Sequence, residues 1–144
     1  MHPEQIFTTA NMLAMAGWII LIFLPSWKTS DKFIISIIIT LMALVYTWLM
    51  FATFKPADIE SFSSLSGVKK LFENDKLVVA GWVHYLAFDL LAGMFIKNNG
   101  IRYNINHWLL VPCMLLTFLF GPAGLLLFLI IRLIKTKHYF PANF

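Results

Sequence analysis

The sequence predicts an all-α membrane protein, a bundle of four transmembrane helices with a short interfacial helix between spans two and three, and three observations carry that reading. Of its 144 residues 60% are hydrophobic and only 12% charged, against about 45–50% and about 25% in an ordinary soluble domain. Four stretches, residues 6–25, 33–54, 77–96 and 108–134, are each close to or above the roughly 20 residues that cross hydrocarbon as a helix. Of the 18 charged side chains (11 Lys and Arg, 7 Asp and Glu), only Asp89 falls within a span, apart from Arg132 near the end of the fourth. Backbone groups cannot stay unpaired in lipid, and the alternating segments of about ten residues that a barrel needs are absent, so the spans are expected to be helices. Composition on this scale excludes a disordered chain, a disulfide scaffold and a conventional cytosolic enzyme. Residues 1–144 are expected to form a single integral membrane domain.

Span one is preceded by no Lys or Arg and followed by no small-residue cleavage pattern, so it is expected to persist as an anchor. Its Thr8, Asn11, Met15 and Trp18 recur at helical spacing. The Asn11 amide then either bonds a neighbouring helix or lines a pocket. Span two, rich in Ile34, Ile35, Ile37, Ile38 and Ile39, is apolar almost all round and reads as lipid-facing and packing surface. Residues 55–76 are too polar to cross. Within them Phe62, Leu65, Val68 and Phe72 repeat at helical spacing, which suits a helix lying flat in the interface with Ser61 or Ser63 as its N-cap; the alternative is a solvated loop.

Span four contains Gly121-Pro122-Ala123-Gly124. Proline removes a donor and clashes with the preceding turn, so a kink or break is expected there, serving either packing or a site. Thr117, Gly121 and Gly124 make a small-residue face, and Trp108, Arg132, Lys135 and Lys137 look like interfacial anchors. Four spans put both termini and the middle segment on one side. Lys55, Lys69, Lys70, Lys76, Arg132, Lys135 and Lys137 then oppose Lys28, Lys32, Lys97 and Arg102, and seven against four places both termini in the cytoplasm. The pI near 9.3 does not imply nucleic acid, because these residues are spread over membrane-flanking segments; anionic lipid headgroups explain them. Cys113 is the sole cysteine, which excludes an intrachain disulfide and a cysteine-based zinc motif.

Span three carries the chemistry. Asp89 lies about 4 Å from its centre at 1.5 Å per residue, where insertion scales charge an aspartate about 2.5–3.5 kcal/mol. Such a residue is by default functional and should face the bundle interior. At 100° per residue Trp82, Tyr85, Asp89 and Gly93 share one face, while Gly81, His84 and Phe88 share another. His84 and Asp89 are about 140° and about 7.5 Å apart, so on a straight helix they are no simple dyad. His84 either borders a common cavity with Asp89 or is a structural histidine. With His107 the only other nearby candidate ligand, no metal site is expected.

The string Ala80-Gly81-Trp82-Val83-His84-Tyr85-Leu86-Ala87-Phe88-Asp89-Leu90, followed by Gly121-Pro122-Ala123-Gly124-Leu125-Leu126, resembles the abscisic-acid-deficient-four-like membrane family, whose plant members are linked to neoxanthin synthesis. Order and spacing of the spans extend the similarity over essentially the whole chain. Leu91 and Met94 stand where members often have an aromatic residue and an arginine, and the plastid transit sequence of plant members is lacking, so the resemblance is to a bacterial-type, inner-membrane member. It implies isomerisation of an epoxy-carotenoid-like substrate to an allenic alcohol, without a redox cofactor. Asp89 and His84 become the candidate catalytic residues, with Trp82, Tyr85, Asn11, Pro122 and Gly124 around the substrate. Expected partners are membrane lipids, a carotenoid or other isoprenoid, and a further copy of the chain. Two other classes fit the same residues: a non-enzymatic carotenoid or lipid carrier or accessory protein of pigment synthesis, and a small proton-coupled transporter.

Overall fold

Proline is favoured at the start of a helix, where a missing N–H leaves nothing unbonded, and Pro3 opens α1 (Pro3–Phe23). The computed structural model describes residues 2–27 and 29–137; Lys28, one of the basic residues counted above, lies outside them. Ser30–Thr53 is one continuous helix of 24 residues, made of α2 (Ser30–Phe33), a π-helical stretch (Ile34–Ile39) and α3 (Thr40–Thr53). The π stretch coincides with Ile34 to Thr40, six of whose seven residues are β-branched and crowd a regular turn. Thr40 returns its hydroxyl to the Ile35 carbonyl five residues back, at 2.8 Å.

The middle segment forms a 3-10 helix (Pro56–Ser63) and a short α4 (Leu65–Leu71). The N-cap is Ser64, whose hydroxyl accepts from the Gly67 N–H at 3.1 Å; Ser61 and Ser63 lie within the 3-10 helix instead. α5 (Asp75–Arg102) starts at Asn74, whose side chain accepts from the Lys76 N–H at 3.0 Å. It runs 28 residues, about 42 Å, and so continues six residues past the expected end at Ile96.

Three helices, Pro3–Phe23, Ser30–Thr53 and Asp75–Arg102, are long and apolar enough to cross a membrane, which makes this a membrane protein. α5 is the central post, packed against α1, α3, α6 and α7, with Val83, Leu86 and Leu90 buried. α1 runs parallel to it, pairing Asn11 with Trp82 and Trp18 with Gly93, and α3 runs antiparallel, with Tyr46 beside His84.

The expected fourth span differs most. α6 (His107–Phe120) and α7 (Pro122–Thr136) are separate helices joined at Gly121, and they fold back on each other instead of kinking. A Cβ built on Gly124 would lie 2.2 Å from the carbonyl oxygen of Cys113 and from Thr117, residues that a merely bent helix would leave a full turn or more away. Phe128 meets Phe95 edge-on at 6.1 Å, and Arg132 lies over the Tyr103 ring at 5.7 Å. α7 therefore returns to the end of α5 from which α6 departed. Gly121 makes the reversal with φ +50°, a left-handed conformation that glycine adopts without strain, and Pro122 starts the next helix at once. Each arm, 14 and 15 residues long, covers about 22 Å, short of the roughly 30 Å hydrocarbon core.

The chain thus has two unlike ends. The loop end holds the start of α1 and the middle segment; the hairpin end holds the α1–α2 connection, the α5–α6 turn and the last described residues. The first and last described residues lie at opposite ends, where four full crossings would have put them together.

Candidate functional site

Helical periodicity puts Trp82, Tyr85, Asp89 and Gly93 on one face of α5, and the structure sets that face against α1 and the tip of the α6–α7 hairpin. Trp82 donates its indole N–H to Asn11 Oδ1 at 3.0 Å, while Asn11 Nδ2 donates to the Phe7 carbonyl at 2.9 Å. The amide is thereby committed to an interhelical bond. The Trp82 ring sits between Phe7 and Tyr85, at 5.5 and 5.4 Å. Tyr85 donates its hydroxyl to the Phe118 carbonyl at 3.4 Å, one of the acceptors that the end of α6 leaves without an intrahelical donor. The Phe118 ring meets Trp18 edge-on at 5.6 Å, and Trp18 lies over Gly93.

Asp89 sits between these groups, 8% exposed. Its Oδ1 is 3.0 Å from where a Cβ of Gly121 would be, so the absent side chain makes room for the carboxyl at the hairpin tip. Among the described residues its Oδ2 has no hydrogen-bond partner, and neither does the indole N–H of Trp18. A buried carboxylate oxygen left unpaired is costly, and such an intramembrane group is a functional candidate. α7 begins beside it, and the positive end of a helix dipole favours negative charge there. Because α6 and α7 stop at the depth of Tyr85 and Asp89, α5 has no hairpin cover towards the loop end. Trp82 is 38% exposed there, and Pro122 is exposed at the tip.

The predicted residues separate into two groups. Asn11, Trp82, Tyr85 and Asp89 line one face, with Pro122 in the first turn of α7; Gly124 packs inside the hairpin against Cys113 and Thr117 and serves its closure. His84 is not brought to Asp89. It stacks on Phe88 at 4.5 Å, faces Tyr46 at 5.5 Å and lines an apolar groove between α3, α5 and the middle segment. His107 bonds the Ile22 carbonyl through Nε2 at 2.8 Å. Among the described residues no three His, Cys, Asp or Glu side chains converge.

Three buried groups went unread in the sequence. Lys97, counted with the loop charges, is 3% exposed, bonds Ser30 Oγ at 2.9 Å and pairs with Asp31. Its signal was an opposite charge at the facing ends of consecutive spans. Arg132, expected as an interfacial anchor, is buried against Tyr103 and Phe128. Trp18, which shares helical spacing with Thr8, Asn11 and Met15, roofs Gly93, a contact that spacing does not signal.

The model of the ABA DEFICIENT 4-like family matches residues 5–128, a stretch that includes the Asp89 face and the hairpin tip. No curated protein and no solved structure matches the chain.

Proposed function

We propose, from the premise that the chain belongs to the ABA DEFICIENT 4-like family, that it is a membrane-embedded isomerase acting on an epoxy-carotenoid-like isoprenoid. The observation that carries this reading is the Asp89 carboxyl, buried at the hairpin tip with one oxygen unpartnered. Opening an epoxide to an allenic alcohol needs an acid at the epoxide oxygen and a base for a proton on the neighbouring vinyl carbon. One carboxyl serves both. In its protonated form Asp89 gives its proton to the oxygen as the C–O bond breaks. The resulting carboxylate takes the vinyl proton as the second double bond of the allene forms, which restores the acid. Atoms and electrons balance within the substrate, so no redox cofactor is required.

Trp82 and Tyr85 present π faces suited to the developing cation. Asn11 holds Trp82 in place, and Pro122 with the hairpin closed by Gly124 bounds the far wall. The Tyr85 hydroxyl, tied to the α6 terminus, fixes the ring in that place. His84, on the other side of α5, has no place in this proton path. The uncovered half of the Asp89 face towards the loop end is the natural approach for a lipid-dissolved substrate.

The same reading makes residues 1–144 one functional membrane domain in a bacterial-type inner membrane, with three spans and a re-entrant hairpin. The hairpin end carries Lys32, Lys97, Arg102, Arg132, Lys135 and Lys137, six basic residues, and the loop end carries Lys55, Lys69, Lys70 and Lys76. The positive-inside bias then puts the hairpin end in the cytoplasm. In intact cells a Ser63→Cys variant should accept an impermeant thiol reagent, and protection until lysis would reverse the orientation.

The activity is tested with the purified protein in liposomes containing violaxanthin. Formation of the allenic isomer by wild type and its loss in Asp89→Asn is the expected result. Pigment retained at a fixed molar ratio without conversion would replace the enzyme by a carrier.

A further inference from the structure

His84 opens onto a groove that the Asp89 chemistry leaves unused. Its walls are Tyr46 and Met50 of α3, Phe54 just past its end, Leu77, Gly81 and His84 of α5, and Phe62, Leu71 and Phe72 of the middle segment. The volume is about 200 Å³. A dry cavity of about 150 Å³ takes a benzene molecule, so the groove has room for one six-membered ring with small substituents while a longer tail remains in the bilayer. Five of the nine walls are aromatic or imidazole rings, a lining suited to a flat-sided ring. Gly81 keeps it open, because even a Cβ there would come to 3.1 Å from Phe72.

Two polar side chains interrupt this apolar lining, and they stand together, with ring centroids of His84 and Tyr46 5.5 Å apart. Among the described residues neither the imidazole nitrogens of His84 nor the Tyr46 hydroxyl has a hydrogen-bond partner, so the groove offers one polar point that both donates and accepts. The segment that roofs it favours neither sign of charge. Residues 55–76 carry Lys55, Lys69, Lys70 and Lys76 against Asp58, Glu60, Glu73 and Asp75, four of each sign. A net charge of zero gives an anionic head no advantage over a neutral one.

From these features we infer that the His84–Tyr46 groove is a binding site for a neutral lipid alcohol, one whose hydroxyl sits on a six-membered ring. The hydroxyl bonds His84 and Tyr46, the ring lies between Phe54, Phe62 and Phe72, and the tail leaves towards the bilayer. This site is on the opposite side of α5 from Asp89 and does not depend on the role assigned to that carboxyl.

The test is equilibrium binding of tritiated 4-dodecylcyclohexanol to the full chain in lipid nanodiscs, with empty discs as the partition control. One saturable site per protein is expected. His84→Phe and Tyr46→Phe keep the rings and remove one hydrogen bond each, and each should weaken binding about fivefold. Gly81→Leu fills the groove and should abolish the site. The parent hydrocarbon, dodecylcyclohexane, should not compete, and 4-dodecylcyclohexanecarboxylate should compete more weakly than the alcohol. Uptake no greater than in empty discs, equal competition by the hydrocarbon, tighter binding of the carboxylate, or unchanged affinity in both ring-for-ring variants would each overturn the proposal.

Discussion

The two faces of α5 were built from the same eight-residue stretch, yet they are unlike. On one, Trp82 and Tyr85 are held by directional bonds, an indole N–H on Asn11 and a phenol on a terminal carbonyl of α6, and the Asp89 carboxyl fills the space left by Gly121. On the other, His84 is held by ring contacts alone, against Phe88 and Tyr46, beside empty apolar volume. The contrast teaches that an intramembrane ionisable group does not define a site by its presence. Asp89 stands where the backbone itself is broken and polar, which is tolerated in a bilayer only within protein or beside a cavity. His84 stands where shape, more than polarity, selects what enters.

The sharpest way to break this contrast is Asp89→Asn. It should lower conversion by about 10²–10⁴-fold, the usual worth of positioned acid–base catalysis, while 4-dodecylcyclohexanol still binds the opposite face. Pigment chromatography and the nanodisc measurement read the two effects separately, and retained conversion would end the division of labour. Next in size, Asp31→Asn leaves the buried Lys97 ammonium without its counter-charge, a change expected to cost about 3–5 kcal/mol. Unfolding in mixed micelles should show the loss, and Lys97→Met, which removes the charge as well, should cost less. A variant of unchanged stability would mean that the hairpin end does not depend on this pair.

Gly124→Val drives a branched side chain into the backbone of Cys113 and Thr117. Overpacking of this kind costs about 1–3 kcal/mol. It should open the hairpin, impair the Asp89 face and spare the groove, as followed by thermal unfolding and by both assays. The smallest effect is Trp82→Phe, which keeps the ring stack and deletes the bond to Asn11; about 0.5–1.5 kcal/mol is expected, again by unfolding in micelles.

Much of this arrangement was legible in the residues. The three long spans, the shared face of Trp82, Tyr85 and Asp89, and the break at Gly121-Pro122 follow from hydropathy, the 100° step and proline chemistry. The direction of the chain after the break was not legible. A kink and a reversal both need a glycine and a proline, and they differ in whether Gly124 meets Cys113, a contact between residues of the same apolar stretch that periodicity does not distinguish. Burial of Lys97 was hidden for a related reason. The onset of charge predicts the end of a span, whereas α5 carries its helix past Ile96 and takes the first charge inside. The middle segment resolved at its start, where Ser64, and not Ser61 or Ser63, has the extended backbone a cap needs.

The half-depth hairpin also gives the molecule a shape. Beside the half of α5 that the hairpin covers stand five helical rods, those of α1, α3 with its N-terminal extension, α5, α6 and α7, whereas three stand beside the other half. At about 10 Å per rod the protein is a wedge. In the membrane placement proposed above, lipids packed around it meet a broader cross-section on the hairpin side than on the opposite one, so monolayer curvature becomes a variable that acts on this fold. Membranes that bend to match the wedge should concentrate the protein, and flat, stiff ones should exclude it.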